Sequence, residues 1–199
     1  MLKVVVLISG GGSNLKALLE AAQSDEYPAR IVAVGSDTDA TGLDYAREAG
    51  IPSFIVRPRD HGSREAWGEA LAARIREHLA GDEQGLVVSA GLMRVLPAPF
   101  VREFSPRLIN THPALLPLFP GAHAVRDALA AGAVRTGVTV HIIDEGVDTG
   151  PALRQRAVTI LADESEAELH ERIKQLERPL LVETVREIAT GELDLSTPR

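Results

Sequence analysis

Short β-branched runs alternating with longer stretches of helical composition constrain this chain more than any other feature. A strand that returns to its sheet through a helix returns in parallel, so the alternation predicts an α/β fold on a largely parallel sheet. The runs that read as strands cover residues 3–8, 31–34, 53–56, 86–89, 107–111, 137–143 and 153–158. Between them, residues 13–22, 42–49, 63–79, 123–131 and 166–189 carry the Ala, Leu, Glu and Arg content of helices. Ser63 with Ala66 and Ser165 with Glu168 stand where helices should start, the second pair as a capping box. Six prolines (97, 99, 106, 113, 117 and 120) predict irregular loops of fixed shape, with no helix across that region.

With 199 residues and 45% hydrophobic content, the chain suits one domain, 1–199, with a full-sized core. Its formal charge is −7, from 21 Lys and Arg against 28 Asp and Glu, and no basic block is present. The electrostatic footprint of a nucleic-acid binder is therefore missing, and small molecules are the expected partners. The absence of cysteine excludes a disulfide scaffold, a thiol nucleophile and a thiolate metal site. The apolar run before Ser9 is too short for a signal-peptide core, and no apolar stretch approaches the ~18 residues of a membrane span. A cytoplasmic location without membrane association is the expectation, and a monomer and a homodimer fit equally.

Ligand crevices in such sheets lie beyond the carboxyl ends of the strands, here the loops after Ile8, Ser89, Thr111 and Ile143. The first of these is "LISGGGSNLKALLE": a strand, three glycines, then a helix begun by Ser13 or Asn14. Glycines allow close backbone approach to an anion, and the free N–H groups of a helix start face it, so a phosphate is the natural guest. No lysine directly follows the glycines, against a Walker loop. Leu15 stands where a dinucleotide fingerprint needs its third glycine after Gly10 and Gly12, although Asp37 and Asp39 do follow the second strand. A single phosphate fits better than a pyrophosphate; a tight turn without ligand is the alternative.

The second half concentrates polar chemistry: Asn110, His112, His123, His141, Asp144 and Asp148. In "INTHPALLP" an Asn and a His two residues apart point to one face of a strand that the prolines then end. If the loop of "TVHIIDEGVDTGP" meets them, Asn110, His112 and Asp148 have the makings of an acyl-transfer site. An amide and an imidazolium stabilise a developing oxyanion, and a carboxylate orients the imidazole. No side-chain nucleophile accompanies them, so the attacking group comes from a substrate or from water. Two competing readings remain at this level: a metal site on His112, His141 and Asp148, which no short-range ligand spacing supports, and structural roles for His141 in the sheet and Asn110 in a turn. His61, His78 and His170 read as surface residues.

Four stretches resemble the phosphoribosylglycinamide formyltransferase family: "VVLISGGGSNLKALLE", "AGLMRVLP" at 90–97, "LINTHPALLPLFPGAHA" at 108–124 and "GVTVHIIDEGVDTGP" at 137–151. The resemblance extends over essentially the whole chain. It implies a single-domain, Rossmann-like three-layer fold with a mostly parallel seven-stranded sheet. It also implies formyl transfer from 10-formyltetrahydrofolate to the amine of a phosphoribosylglycinamide, in purine synthesis and without a metal. Asn110, His112 and Asp148 match the catalytic set. The phosphate and ribose fall to Gly11, Gly12, Ser13, Asn14, Lys174 and Glu177. The folate falls to Leu92, Met93, Arg94, Val95 and Leu96 on one side and to Asn110, His141, Asp144, Glu145, Gly146, Val147 and Asp148 on the other, with Arg64 near its glutamate tail. The chain departs from the common pattern at Gly11, Asp37, Leu92 and Thr111, none of them a catalytic identity.

Overall fold

The computed structural model describes residues 1–82 and 84–196. Seven strands form one sheet: β1 (Leu2–Ile8), β2 (Ala29–Ser36), β3 (Ser53–Ile55), β4 (Leu86–Ser89), β5 (Leu108–His112), β6 (Arg135–Ile142) and β7 (Ala152–Thr159). Their order is β3-β2-β1-β4-β5-β6-β7. Pairing is parallel from β3 to β5 and antiparallel from β5 through β6 to β7. The six helices are α1 (Ser13–Ala21), α2 (Leu43–Glu48), α3 (Arg64–Leu79), α4 (Ala98–Phe104), α5 (Ala124–Ala130) and α6 (Glu166–Thr190). The expected mostly parallel, seven-stranded α/β architecture is the one observed.

The central strand shows why the sequence reads as it does. Val4, Val5, Val6, Leu7 and Ile8 are all fully buried, because a parallel strand covered by helices on both faces has no solvent side. Their side chains alternate between two cores. Val4, Val6 and Ile8 join Leu15, Leu18, Leu169 and Leu181 of α1 and α6, whereas Val5 and Leu7 join Trp67, Leu71 and Ile75 of α3 and Phe100 of α4. The same alternation governs β5. Leu108 belongs to the α3 side and Ile109 to the α6 side, which puts Asn110 and His112 on the first face and Thr111 on the second.

Several bounds shift by one or two residues, β2 to Ala29–Ser36 and β6 to Arg135–Ile142 among them, and two departures bear on the site. Helix α4 lies inside the proline-rich region. Pro97 is its N-cap and Pro99 sits in its first turn, where the missing N–H would have had no helical partner, so these prolines start a helix instead of forbidding one. Strand β5 runs one residue further than expected, through His112, which pairs with Thr139 across β6 before Pro113 ends the ladder. The two expected helix starts are present. Ser63 Oγ accepts from Ala66 N–H, and Ser165 and Glu168 form the reciprocal capping box.

β1 leads leftward to β2 and β3 while β4 and β5 lie on its right, so the strand order reverses between β1 and β4. The crevice such a reversal opens lies beyond the carboxyl ends of these two strands, between the glycine loop and the loop that follows β4.

Candidate active site

The antiparallel register sets Asn110 directly opposite His141, and that pair is the base of the site. Asn110 Nδ2 lies 3.3 Å from His141 Nε2. The other ring nitrogen of His141 donates to the Ile142 carbonyl at 2.9 Å, since a carbonyl can only accept. His141 Nε2 therefore stands between a donor, Asn110, and an acceptor, Asp148 Oδ1 at 3.6 Å, and its proton decides which it serves. Asp148 also reaches His112: Oδ2 lies 3.3 Å from His112 Nδ1. Two imidazoles thus converge on one carboxylate, and the Asn110 amide joins them through His141.

Asp148 holds this place at φ +55°, a left-handed conformation that Asp tolerates better than most residues. The Gly121 N–H donates to its Oδ2 at 2.8 Å. The carboxyl is held below its ordinary range, first by the facing His141 ring and then by the Gly121 N–H and the charge of His112; burial opposes them. The His112 ring is buried, with Nδ1 toward Asp148 and Nε2 donating to the Phe119 carbonyl at 2.8 Å. Both partners are acceptors, so a doubly protonated ring offers each of them a hydrogen.

Two clefts flank the cluster. One, of about 550 Å³, is lined by Ser89, Leu92, Arg94, Val95, Leu96, Asn110, His141, Ile143, Asp144, Gly146, Val147 and Asp148. Most of the residues expected to hold folate are here. Met93 lines the other cleft instead. The Glu145 carboxylate turns outward to Arg102 Nη1 of α4, 2.9 Å away. Arg64 borders a neighbouring hollow with His61, Trp67, Arg94 and Val95, contiguous with the cleft through the last two. The 144–148 turn is folded on itself: Asp144 Oδ1 accepts from both Gly146 N–H and Thr149 Oγ1. A Cβ on Gly146 would collide with Thr149 Oγ1, at 2.0 Å.

The other cleft, of about 1000 Å³, joins the glycine loop to α6. Its walls include Gly11, Gly12, Ser13, Asn14, Thr111, Pro113, His170, Lys174 and Glu177. Gly12 caps α1 at φ +67°, and a Cβ there would stand 3.0 Å from the backbone of Gly42. The first turn of α1 carries no acidic residue and no capping side chain, which leaves its N–H groups and positive dipole end for an anion. Lys174 Nζ, 3.7 Å from Glu171, is the ammonium group on this wall. Glu177 is buried, and its Oε1 accepts from Thr111 Oγ1 at 2.6 Å.

The cluster of Asn110, His112 and Asp148 is brought together, and the phosphate set shares one cleft. His141 proves to be a full member of the cluster. Besides Met93 and Glu145, His78, read as a surface residue, stacks on Phe54 with its Nε2 buried, and three further positions differ from the sequence reading. His112 lines neither cleft, because the segment leading to Phe119 covers it. Thr111 packs away from Asn110 and His112 but anchors Glu177. His170, read as a surface residue, faces the glycine loop; its spacing of four from Lys174 on one helix was the signal available for it. Among the described residues no group of three or more His, Asp or Glu side chains is placed to hold a metal ion, and no helix is long and apolar enough to cross a membrane.

A family model described as formyl transferase matches residues 2–185. The chain is 53% identical over 188 residues to a phosphoribosylglycinamide formyltransferase of Mycobacterium tuberculosis, covering 94% of this chain and 85% of that one. It is 37% identical over 195 residues to the Escherichia coli K12 enzyme of the same name, covering 98% and 90%. Among solved structures, glycinamide ribonucleotide transformylase 1 from Symbiobacterium toebii superposes with a TM-score of 0.92 at 40% identity, covering 100% of this chain and 92% of that one.

Proposed function

The chain belongs to the phosphoribosylglycinamide formyltransferase family, and from that premise we propose how its site carries out the transfer. It moves a formyl group from 10-formyltetrahydrofolate to the amine of 5-phosphoribosylglycinamide, giving formylglycinamide ribonucleotide and tetrahydrofolate, in purine biosynthesis. The observation that carries the mechanism is the convergence of His112 and His141 on Asp148, with Asn110 against His141, beside two clefts. The cleft lined by Leu92, Val95, Leu96 and the 144–148 turn suits a folate ring system, with apolar walls and backbone edges. The glycine loop, with Lys174 and Glu177 opposite, suits a ribose phosphate.

The amine attacks the formyl carbon, forming a C–N bond and pushing the carbonyl electrons onto oxygen. Asn110 and protonated His112 stabilise that oxyanion; a turn of the His112 ring exchanges the Phe119 carbonyl for the formyl oxygen. The Asp148 carboxylate, 3.3 Å from Nδ1, orients the ring. The amine proton passes by way of Asp148 or a water held on it to N10 of the folate. The bond from N10 to the formyl carbon then breaks, and tetrahydrofolate leaves. No covalent enzyme intermediate is required.

The test is an assay of tetrahydrofolate formation from 10-formyltetrahydrofolate with and without phosphoribosylglycinamide. Turnover should depend on the amine. Equal turnover without it, with formate released, would make the chain a hydrolase and overturn the proposal.

A further inference from the structure

A buried carboxylate outside the catalytic cluster ties the two clefts together. Asp37 follows β2, and its side chain is 3% exposed. Its Oδ1 accepts from Ser9 Oγ and its Oδ2 from Arg94 Nε, each at 2.6 Å. Ser9 Oγ in turn accepts the Met93 backbone N–H at 2.8 Å. Because Met93 and Arg94 are adjacent, these contacts close a ring through Asp37, Ser9 and the loop between β4 and α4. Ser9 opens the glycine loop of one cleft, which Gly91 and Met93 also line; Leu92 and Arg94 to Leu96 of the same loop wall the other.

That loop has no regular secondary structure. Among the described residues, its hydrogen bonds are the Gly91 carbonyl accepting from Ser9 N–H at 3.0 Å, the Met93 N–H on Ser9 Oγ and the Arg94 guanidinium on Asp37. All three run to the end of β1 or the end of β2. The loop is therefore placed by the same backbone that shapes the phosphate cradle. Bonds to an ionised carboxylate are the strong kind, and a buried acceptor that loses a donor leaves the remaining groups poorly satisfied.

We propose that Asp37 is a positioning residue that couples occupation of the two clefts. A phosphate on the glycine loop immobilises Ser9. Through the ring, it also immobilises the Met93 amide and the Arg94 stem, so a folate then meets a loop whose ordering cost has already been met. Linkage makes the effect mutual: bound folate tightens the ribonucleotide by the same factor. The proposal rests on the formyl-transfer reading for the identity of the two ligands.

Calorimetric titration of phosphoribosylglycinamide onto the free protein and onto protein saturated with tetrahydrofolate measures this factor, with no reaction between the two. For the unsubstituted protein the ribonucleotide should bind roughly fivefold or more tightly in the presence of folate. Asp37→Ala should bring that ratio to one. Asp37→Asn keeps an acceptor for Arg94 and a donor toward Ser9, and should retain most of it. Ser9→Ala, a small change at a half-buried hydroxyl, should lower the ratio and decides the matter alone if Asp37→Ala does not fold. A purely structural Asp37 would lower the melting temperature, or weaken each ligand singly, and leave the ratio unchanged; that result overturns the proposal, as does a ratio of one in the unsubstituted protein. Failure of either ligand to bind the unsubstituted protein, with no turnover, would instead overturn the formyl-transfer reading.

Discussion

In the proposed mechanism Asp148 carries more of the chemistry than any other residue, and the reason is geometric. Its left-handed backbone and the Gly121 N–H aim one carboxylate at two imidazoles. Asp148→Asn keeps the shape and removes the negative charge beside His112 Nδ1. Turnover should fall by roughly two orders of magnitude or more, while the affinity for tetrahydrofolate, read by calorimetry, changes little. The same carboxyl marks the acid limb of stability. Its native pKa lies below the unfolded value, so its contribution is present in full above roughly pH 4 and is lost as pH falls through the depressed native value. Urea unfolding measured between neutral pH and pH 3 should show a shallower loss of stability in Asp148→Asn than in the unsubstituted protein; parallel curves would argue that the carboxylate is not held by its partners. Asn110 and His112 could be paired from a spacing of two in a strand. That His141 completes the cluster could not, because only the register of β5 against β6 sets it opposite Asn110.

The elements matter through what they fix at their ends. Between β1 and α1, Gly12 holds a conformation that costs an L-residue roughly 1–2 kcal/mol, with the backbone of Gly42 already at the contact limit. Gly12→Ala should raise KM for the ribonucleotide and leave KM for the folate near its original value; equal rises would mean that the loop shapes both clefts alike. Between β5 and α6, the Thr111 hydroxyl is the donor to the buried Glu177 carboxylate. Thr111→Val removes it at nearly constant volume. A loss of about 1–3 kcal/mol in urea unfolding is expected, together with weaker ribonucleotide binding. Helix α4 carries a lesson about reading prolines. Their number suggested loops, yet two of them occupy the cap and first turn, where proline is compatible with a helix. Position relative to a helix start decides the matter, and composition does not report it.

At the scale of the molecule, the site exists because one sheet reverses its strand order between β1 and β4 and then turns antiparallel at β6. The reversal opens the crevice, and the antiparallel return brings His141 back alongside Asn110. Ligands bound only by the folded state should stabilise the whole. At a free concentration about a hundredfold above its Kd, either ligand contributes about 2.7 kcal/mol, so both phosphoribosylglycinamide and tetrahydrofolate should raise Tm measurably by calorimetry. If neither does, the two clefts are not the binding sites. The sequence by itself determined the α/β class, the strands and most helices, the glycine loop and the placing of Asn110 and His112 on one strand face. Each of these rests on local periodicity, on turn chemistry or on contiguous motifs. The tertiary structure alone decided which side chains meet across long separations: His141 on Asp148, Thr111 on Glu177, Phe119 over His112, and Asp37 between Ser9 and Arg94. Those contacts depend on strand order and register, which are settled by how the two cores pack on the sheet and leave no periodic trace in the chain.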